Sequence, residues 1–432
     1  MNMRMTLVGC VLLAGTLARC ETPQKEFFFK DKDSVVFLGD SITEQRLYTT
    51  YIEAYILTRF PSAAFTFRNV GWGGDTAWLR QRAHPDENAL FAATNAVLDE
   101  MVAKAVGAGL ARDVLPLKPT AVTIDFSMND HAYQAFRPDI FRAHVRSQKE
   151  LANVLKKNGA RVALLTTQPI EDKRPDPDKD VKNQALRKFS DGIKEVAAKE
   201  GAAFVDQFDP YLAIMMKARA ANPDALIGGG DAVHPGPAGH TIMAWAILKG
   251  LNAPALVSCA GFDVSHWFRS KLSCQKQCAI TNVKIADGVL SFDRLDKALP
   301  MPVDARAVSA LQLAPVTDDL NRYLLKVEGL KAARYEVSIN GTTVATLSKE
   351  ELAKGFNLAT VATPGAQQAQ QVLDLVFKKN NVYFERWRNV QLANGTPERL
   401  AELDKQIADL EKQINVARQP TTLHFQVKPC MK

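Results

Sequence analysis

Four polar side chains in this sequence could act together on a carbonyl group: Ser41, Asn129, Asp231 and His234. A nucleophilic hydroxyl needs a base, a group that orients the base, and donors for the oxyanion that forms. Ser41, in Gly39-Asp40-Ser41, supplies the hydroxyl. In Asp231-Ala232-Val233-His234 a three-residue step within a turn can return the carboxylate to the imidazole. That contact would fix the tautomer of His234 and support the charge it gains as a base. Asn69-Val70-Gly71-Trp72-Gly73-Gly74-Asp75-Thr76 is a glycine-rich turn whose N–H groups a ligand could approach without side-chain obstruction. Ser127-Met128-Asn129-Asp130 adds a side-chain amide donor. Each piece also has a plainer role: Ser41 as a helix cap, His234 as a loop histidine, the glycines and Asn129 as ordinary turn residues. Together they point to acyl transfer.

The surrounding elements must place these groups at one edge. Ser34–Leu38 is an apolar run that reads as a buried parallel strand, broken by Gly39, and a helical pattern follows from Glu44. Ser41 therefore stands at the carboxyl end of a strand, where open α/β sheets bind ligands. Further strands are expected at 63–69, 121–126, 161–166 and 202–206, alternating with helices at 89–107, 140–158, 181–200, 210–221 and 237–251. Such alternation indicates a parallel sheet covered on both faces. The Pro- and charge-rich stretch 169–180 reads as a surface loop beside the site. From about Ala255 the pattern changes to short strands, including a hairpin across Asn340-Gly341. Two long helical patterns, 367–392 and 397–417, end the chain as an antiparallel hairpin, with Leu400, Leu403, Ile407, Leu410 and Ile414 as the apolar seam of the second.

In order and separation, Gly39-Asp40-Ser41, the Gly74 turn, Asn129-Asp130 and Asp231-x-x-His234 resemble the four blocks of the SGNH hydrolases, also called the GDSL esterase/lipase family. The resemblance covers roughly Asp33 to Leu251. It implies a flavodoxin-like three-layer α/β/α fold, ester hydrolysis, and neither metal nor cofactor. Carried over by position, Ser41 is the nucleophile, His234 the base and Asp231 its orienting carboxylate. The N–H groups of Ser41 and Gly74, with the Asn129 amide, form the oxyanion hole. Asp40, Trp72, Asp75 and Asp130, which flank these groups, are the candidate substrate-binding residues. One departure is Ser127, where the family usually has glycine. The Gly-x-Ser-x-Gly elbow of another hydrolase fold is absent around Ser41.

At 432 residues the chain exceeds one ordinary domain. The reading divides it into a leader (1–20), a catalytic unit (21–254), a β-rich accessory region (255–362), and a helical hairpin with a C-terminal tail (363–432). The net charge of +7 is spread without a basic run, which argues against a nucleic-acid partner. The basic start and the apolar segment Met5–Leu17 read as an export signal. Its end, Leu17-Ala18-Arg19-Cys20, is close to a lipoprotein box that would put a lipid anchor on Cys20, with Arg19 in place of a small residue. Cys259, Cys274, Cys278 and Cys430 suggest two disulfides in any of three pairings, against a zinc alternative using the first three with His266. The expected protein is thus exported, to the periplasm, the outer membrane or the medium. Its expected partner is an ester, with acetylated carbohydrate first because Trp72 and Trp78 could stack a sugar ring or else serve as packing. A lipid ester, or a non-catalytic binding role on the same scaffold, are the alternatives.

Overall fold

The structure, a computed structural model, describes residues 26–173, 176–266 and 271–430, so the leader and Cys20 lie outside the described residues. Strand β1 (Ser34–Gly39) is an inner strand of the catalytic sheet, which it forms with β2 (Thr66–Asn69), β3 (Ala121–Asp125), β4 (Arg161–Leu165) and β5 (Ala203–Val205). Their order is β2-β1-β3-β4-β5 and every neighbouring pair is parallel. This is the flavodoxin-like order, whose switch point lies between β1 and β3, the place where such sheets bind ligands.

Residues alternate across β1 into two cores. Val35 and Phe37 face the helices α1 (Leu47–Arg59) and α6 (Pro237–Gly250), while Val36 and Leu38 face α2 (Asn95–Asp113) and α3 (Pro138–Lys157). Helices α4 (Val181–Glu200) and α5 (Phe208–Ala221) complete the cover. At the end of β1, a Cβ on Gly39 would strike Thr43 Oγ1 at 2.1 Å and the Asp125 carbonyl at 2.7 Å, so only glycine lets the chain turn there. The helix expected from Glu44 onward is divided. Ser41–Glu44 forms a separate turn, Arg46 has a left-handed backbone (φ 61°), and α1 starts at Leu47.

The accessory region is a β-sandwich. One sheet runs β13-β10-β6-β7, built from Phe356–Asn357, Arg322–Glu328, Leu256–Asp263 and Lys271–Lys276 in that order. The other runs β12-β11-β14-β9-β8, built from Thr342–Ser348, Arg334–Ile339, Leu423–Pro429, Val289–Asp296 and Cys278–Ala286. Phe262, Phe292, Tyr323, Tyr335 and Phe425 fill the space between them. The segment expected as a C-terminal tail is therefore a central strand, β14, whose alternating Leu423, Phe425 and Val427 point inward.

Cys259 and Cys274 form a disulfide across β6 and β7, with Cα atoms 6.1 Å apart. This corrects two expectations at once. It takes two of the sulfurs that the zinc alternative required, and among the described residues it is a single bridge where two were expected. Cys278 and Cys430 are free thiols, because the strand register places them toward opposite ends of β9.

The helical hairpin, α7 (Pro364–Phe384) and α8 (Pro397–Ala417), covers the β2 edge of the catalytic sheet. It contributes Val372, Leu373, Val376 and Ile414 to one core and Tyr383, Trp387 and Ile407 to the other. Covering that edge removes a row of unpaired backbone groups. The end of the expected 367–392 helix is a π-helical stretch, Glu385–Gln391.

Candidate active site

The hydroxyl, imidazole and carboxylate meet at the carboxyl end of β1. Ser41 Oγ lies 2.9 Å from His234 Nε2, and His234 Nδ1 lies 3.0 Å from Asp231 Oδ2. A carboxylate only accepts, so Nδ1 carries the proton and Nε2 is left to accept from the serine. The other oxygen, Asp231 Oδ1, accepts the N–H groups of Val233 and His234, each at 2.7 Å. The Asp231 side chain is 66% exposed and that of His234 36%. Desolvation pushes the Asp231 carboxyl up, but the two N–H bonds and the facing imidazole outweigh it and hold it below the ordinary carboxylate range.

The loop carrying this pair is pinned from behind by Glu171. Its Oε1 accepts the Ile227 N–H at 2.6 Å, its Oε2 accepts the Gly228 N–H at 2.7 Å, and its own N–H donates to Ala232 at 2.8 Å. Glu171 is buried, although the stretch around it reads as a surface loop. The only available signal was the turn chemistry of Gly228-Gly229-Gly230, whose first amide is buried and needs an acceptor. His240, one turn into α6, accepts the Tyr48 N–H at Nδ1 (3.2 Å) and reaches Gln45 Oε1 through Nε2 (2.8 Å). Burial, with His234 nearby, pushes its imidazole down to about 3, so it stays neutral beside the base.

The expected oxyanion donors stand on three turns that lie against one another, Gly73 beside Ser41 and Asn129 on the Asp75 carbonyl. The Ser41 N–H opens a helical turn and so has no intrahelical acceptor. Gly74 has φ +75°, a conformation that favours glycine. Its carbonyl is held by the Arg80 guanidinium, Nε at 2.9 Å, while the Gly73 N–H donates to Glu44 Oε2 at 2.9 Å. The peptide that presents the Gly74 N–H is thereby anchored on both sides. Asn129 Nδ2 donates to the Asp75 carbonyl at 3.0 Å, and Asn129 Oδ1 accepts from the Tyr133 hydroxyl at 2.9 Å. These two bonds set which way the amide faces and leave one Nδ2 hydrogen for a ligand.

The other expected contact residues sit differently. Asp40, Asp75 and Asp130 are buried and serve the floor of the site. Asp40 caps the serine turn through the Ile42 N–H at 2.9 Å. Asp75 accepts the Gln81 N–H at 2.9 Å and pairs with buried Arg82, while Asp130 accepts the Ala77 N–H at 3.0 Å and pairs with His144 at 2.7 Å. Trp72 is half-buried: Arg388 covers it at 4.0 Å, Arg112 lies at 5.1 Å, and Trp387 packs edge-on at 6.0 Å. Trp78 lies in the core with its indole N–H on Glu87 at 2.7 Å. Neither indole offers an open face, because Arg388 and Arg112 cover Trp72 and Phe91 packs on buried Trp78.

A flavodoxin-order sheet with a hydroxyl–imidazole–carboxylate row at its switch point is the architecture of a three-layer α/β hydrolase. Through residues 37–242, just under half of its length, this chain matches the GDSL-like Lipase/Acylhydrolase family. It is accordingly a carboxylic ester hydrolase. Among solved structures, a gut microbial diltiazem-metabolizing enzyme superposes with a TM-score of 0.78 at 24% identity, over 94% of this chain and 100% of that one. The likeness therefore extends through the sandwich and the hairpin, and concerns the fold. A catalytic mutant of Axe2, an acetylxylan esterase from Geobacillus stearothermophilus, aligns with a TM-score of 0.40 at 20% identity, over 52% of this chain and 95% of that one. No curated protein matches the sequence.

Proposed function

We propose that this chain cleaves esters through a covalent acyl-enzyme on Ser41. The observation that carries the reading is the unbroken row from Ser41 Oγ through His234 to Asp231, at 2.9 and 3.0 Å. Ser41 Oγ attacks the ester carbonyl carbon as its proton passes to His234 Nε2, and Asp231 supports the imidazolium. The carbonyl oxygen becomes an oxyanion held by the N–H groups of Ser41 and Gly74 and by Asn129 Nδ2. Collapse breaks the bond to the alcohol oxygen, which leaves with the proton from Nε2. Water then attacks the acyl carbon and gives its proton to Nε2. The acid departs as that proton returns to Ser41.

We assign O-acetylated carbohydrate as the substrate class. Tyr133, 37% exposed beside Asn129, is the aromatic face that borders the oxyanion donors now that Trp72 is covered. Export is supported by the Cys259–Cys274 disulfide, since such bridges persist in oxidising compartments. Acylation of an exported form at Cys20 would add a membrane anchor.

Hydrolysis of p-nitrophenyl acetate and octanoate, with Ser41→Ala alongside, tests the reading. Turnover of acetate that disappears in the variant is expected. Turnover surviving in Ser41→Ala would remove the serine from the mechanism, and a preference for octanoate would move the substrate to lipid esters. Diltiazem joins the panel because the structural neighbour spanning the chain metabolises it.

A further inference from the structure

The hairpin lies outside the stretch that matches the family, yet it reaches the catalytic turn. Its π-helical segment carries Arg388, whose Nε is 3.4 Å from Glu44 Oε1 and whose guanidinium covers Trp72 at 4.0 Å. Glu44 closes the turn that begins at Ser41, and its other oxygen accepts the Gly73 N–H. A Cβ placed on Gly73 would be 2.8 Å from Glu44 Oε2 and 3.9 Å from Ser41 Cβ, so any other residue there would push the Glu44 carboxylate aside. Glycines at 73 and 74 give this backbone little stiffness of its own, and outside contacts must fix it.

The hairpin is anchored rigidly enough to provide them. Lys379 and Glu53 form a buried ion pair at 2.5 Å, and Asn380 donates to Thr50 Oγ1 at 2.9 Å and to Glu53 at 3.0 Å. Arg46, between the serine turn and α1, donates to the Glu44 carbonyl at 2.7 Å and to Asn381 at 3.2 Å, with Phe384 against its guanidinium at 4.0 Å. A π-helical turn in such a place is a common mark of functional sites.

We propose that Arg388 is a positioning residue for the oxyanion hole: through Glu44 it locks the Gly73-Gly74 turn against the Ser41 turn, making the C-terminal hairpin part of the catalytic apparatus. Two effects combine. The guanidinium holds the carboxylate that holds the Gly73 N–H, and it offsets a negative charge that would otherwise stand near a developing oxyanion. Arg388 touches no substrate atom, so its contribution is to the turnover step and not to binding.

The inference rests on the acyl-enzyme reading for its kinetic effect but not for its structural one, and the full-length protein allows both to be measured. Arg388→Gln is expected to lower kcat for p-nitrophenyl acetate about 10- to 100-fold, with KM little changed, as expected for a displaced oxyanion donor. Arg388→Lys should recover part of the loss. Glu44→Ala should reproduce it with every hairpin residue left in place, and adding Arg388→Gln to Glu44→Ala should cost little more. Amide exchange at Gly73 should quicken in both single variants, whether or not the enzyme turns over that ester. Wild-type kcat in Arg388→Gln, or losses that multiply in the double variant, would overturn the proposal. So would unchanged exchange at Gly73, even if turnover were lost through unfolding of the hairpin. Absence of Ser41-dependent turnover in the wild type would instead count against the acyl-enzyme reading and leave the exchange result to decide this one.

Discussion

The rim and the floor of the site treat carboxyl groups in opposite ways. On the rim, Asp231 is exposed, accepts two backbone N–H groups and faces an imidazole, and its carboxyl is held low. In the floor, burial and the neighbouring Asp125 push the Asp40 carboxyl well above its usual range, and burial pushes Asp125 up to about 7 against the bonds from Gln207 and Tyr48. The same functional group thus carries a charge where charge assists the base, and resists one where it would be trapped under the sheet. The rim is arranged for chemistry and the floor for position.

The largest effect should come from breaking the rim. Asp231→Ala removes the acceptor that fixes the His234 tautomer and the carboxylate that supports its imidazolium. A loss of about 100- to 10,000-fold in kcat is expected, with KM and the unfolding midpoint close to wild type. The exposure of the pair favours the lower part of that range, since water can partly replace the lost partner. Steady-state kinetics on p-nitrophenyl acetate checks this, and a loss below tenfold would show that His234 is oriented by its other contacts.

The rim was legible in the sequence and the floor was not, for a physical reason. Ser41, Gly74, Asn129, Asp231 and His234 occupy strand ends and turns, whose residue types report their own local geometry. Asp40, Asp75 and Asp130 stand in the same blocks, and only burial shows that they hold the loops from behind. Glu171 was invisible for a related reason: its acceptors' partners, Ile227 and Gly228, lie far along the chain. Among the elements, the Val181–Glu200 and Pro397–Ala417 helices match the sequence pattern to the residue, because both are amphipathic and capped. Strand β6, buried along nearly its whole length, has no alternation to detect, whereas β14 alternates cleanly but is a short run beside two strong helical signals. The Trp72 face could not be judged from local sequence at all, since what covers it comes from residue 388.

The floor is sharpened by removing one charge. The folded-state value of Asp125, about 7, lies above its ordinary 3.8, so the folded protein holds this proton more tightly than the unfolded chain. Its contribution to stability is fully present below the unfolded value and is lost as pH rises through about 7. Asp125→Asn mimics the protonated form and can still bond Gln207. The variant should be more stable than wild type by on the order of 2–4 kcal/mol at pH 8, shrinking toward zero near pH 4. Urea unfolding at the two pH values measures the difference, and a gain independent of pH would mean that Asp125 is ionised in the folded protein.

The smallest effect tests whether the floor also carries strain. Ser127 has φ 136°, a conformation suited to glycine, and its buried hydroxyl has no partner within the described residues. It nevertheless holds the turn that presents Asn129, since its carbonyl accepts the His131 N–H at 3.1 Å and lies 3.2 Å from His131 Nδ1. Ser127→Gly relieves the backbone strain and removes the unpaired hydroxyl, while glycine adds freedom to the unfolded chain. The first two terms outweigh the third, so a net gain of about 1 kcal/mol is expected. The backbone bonds that aim Asn129 do not involve the side chain, and kcat should stay within about twofold of wild type. A variant that is more stable but slower would show that the strained serine sharpens the oxyanion hole. A variant that is less stable would place an acceptor or packing partner on the serine hydroxyl, and the floor would then be as fully satisfied as the rim.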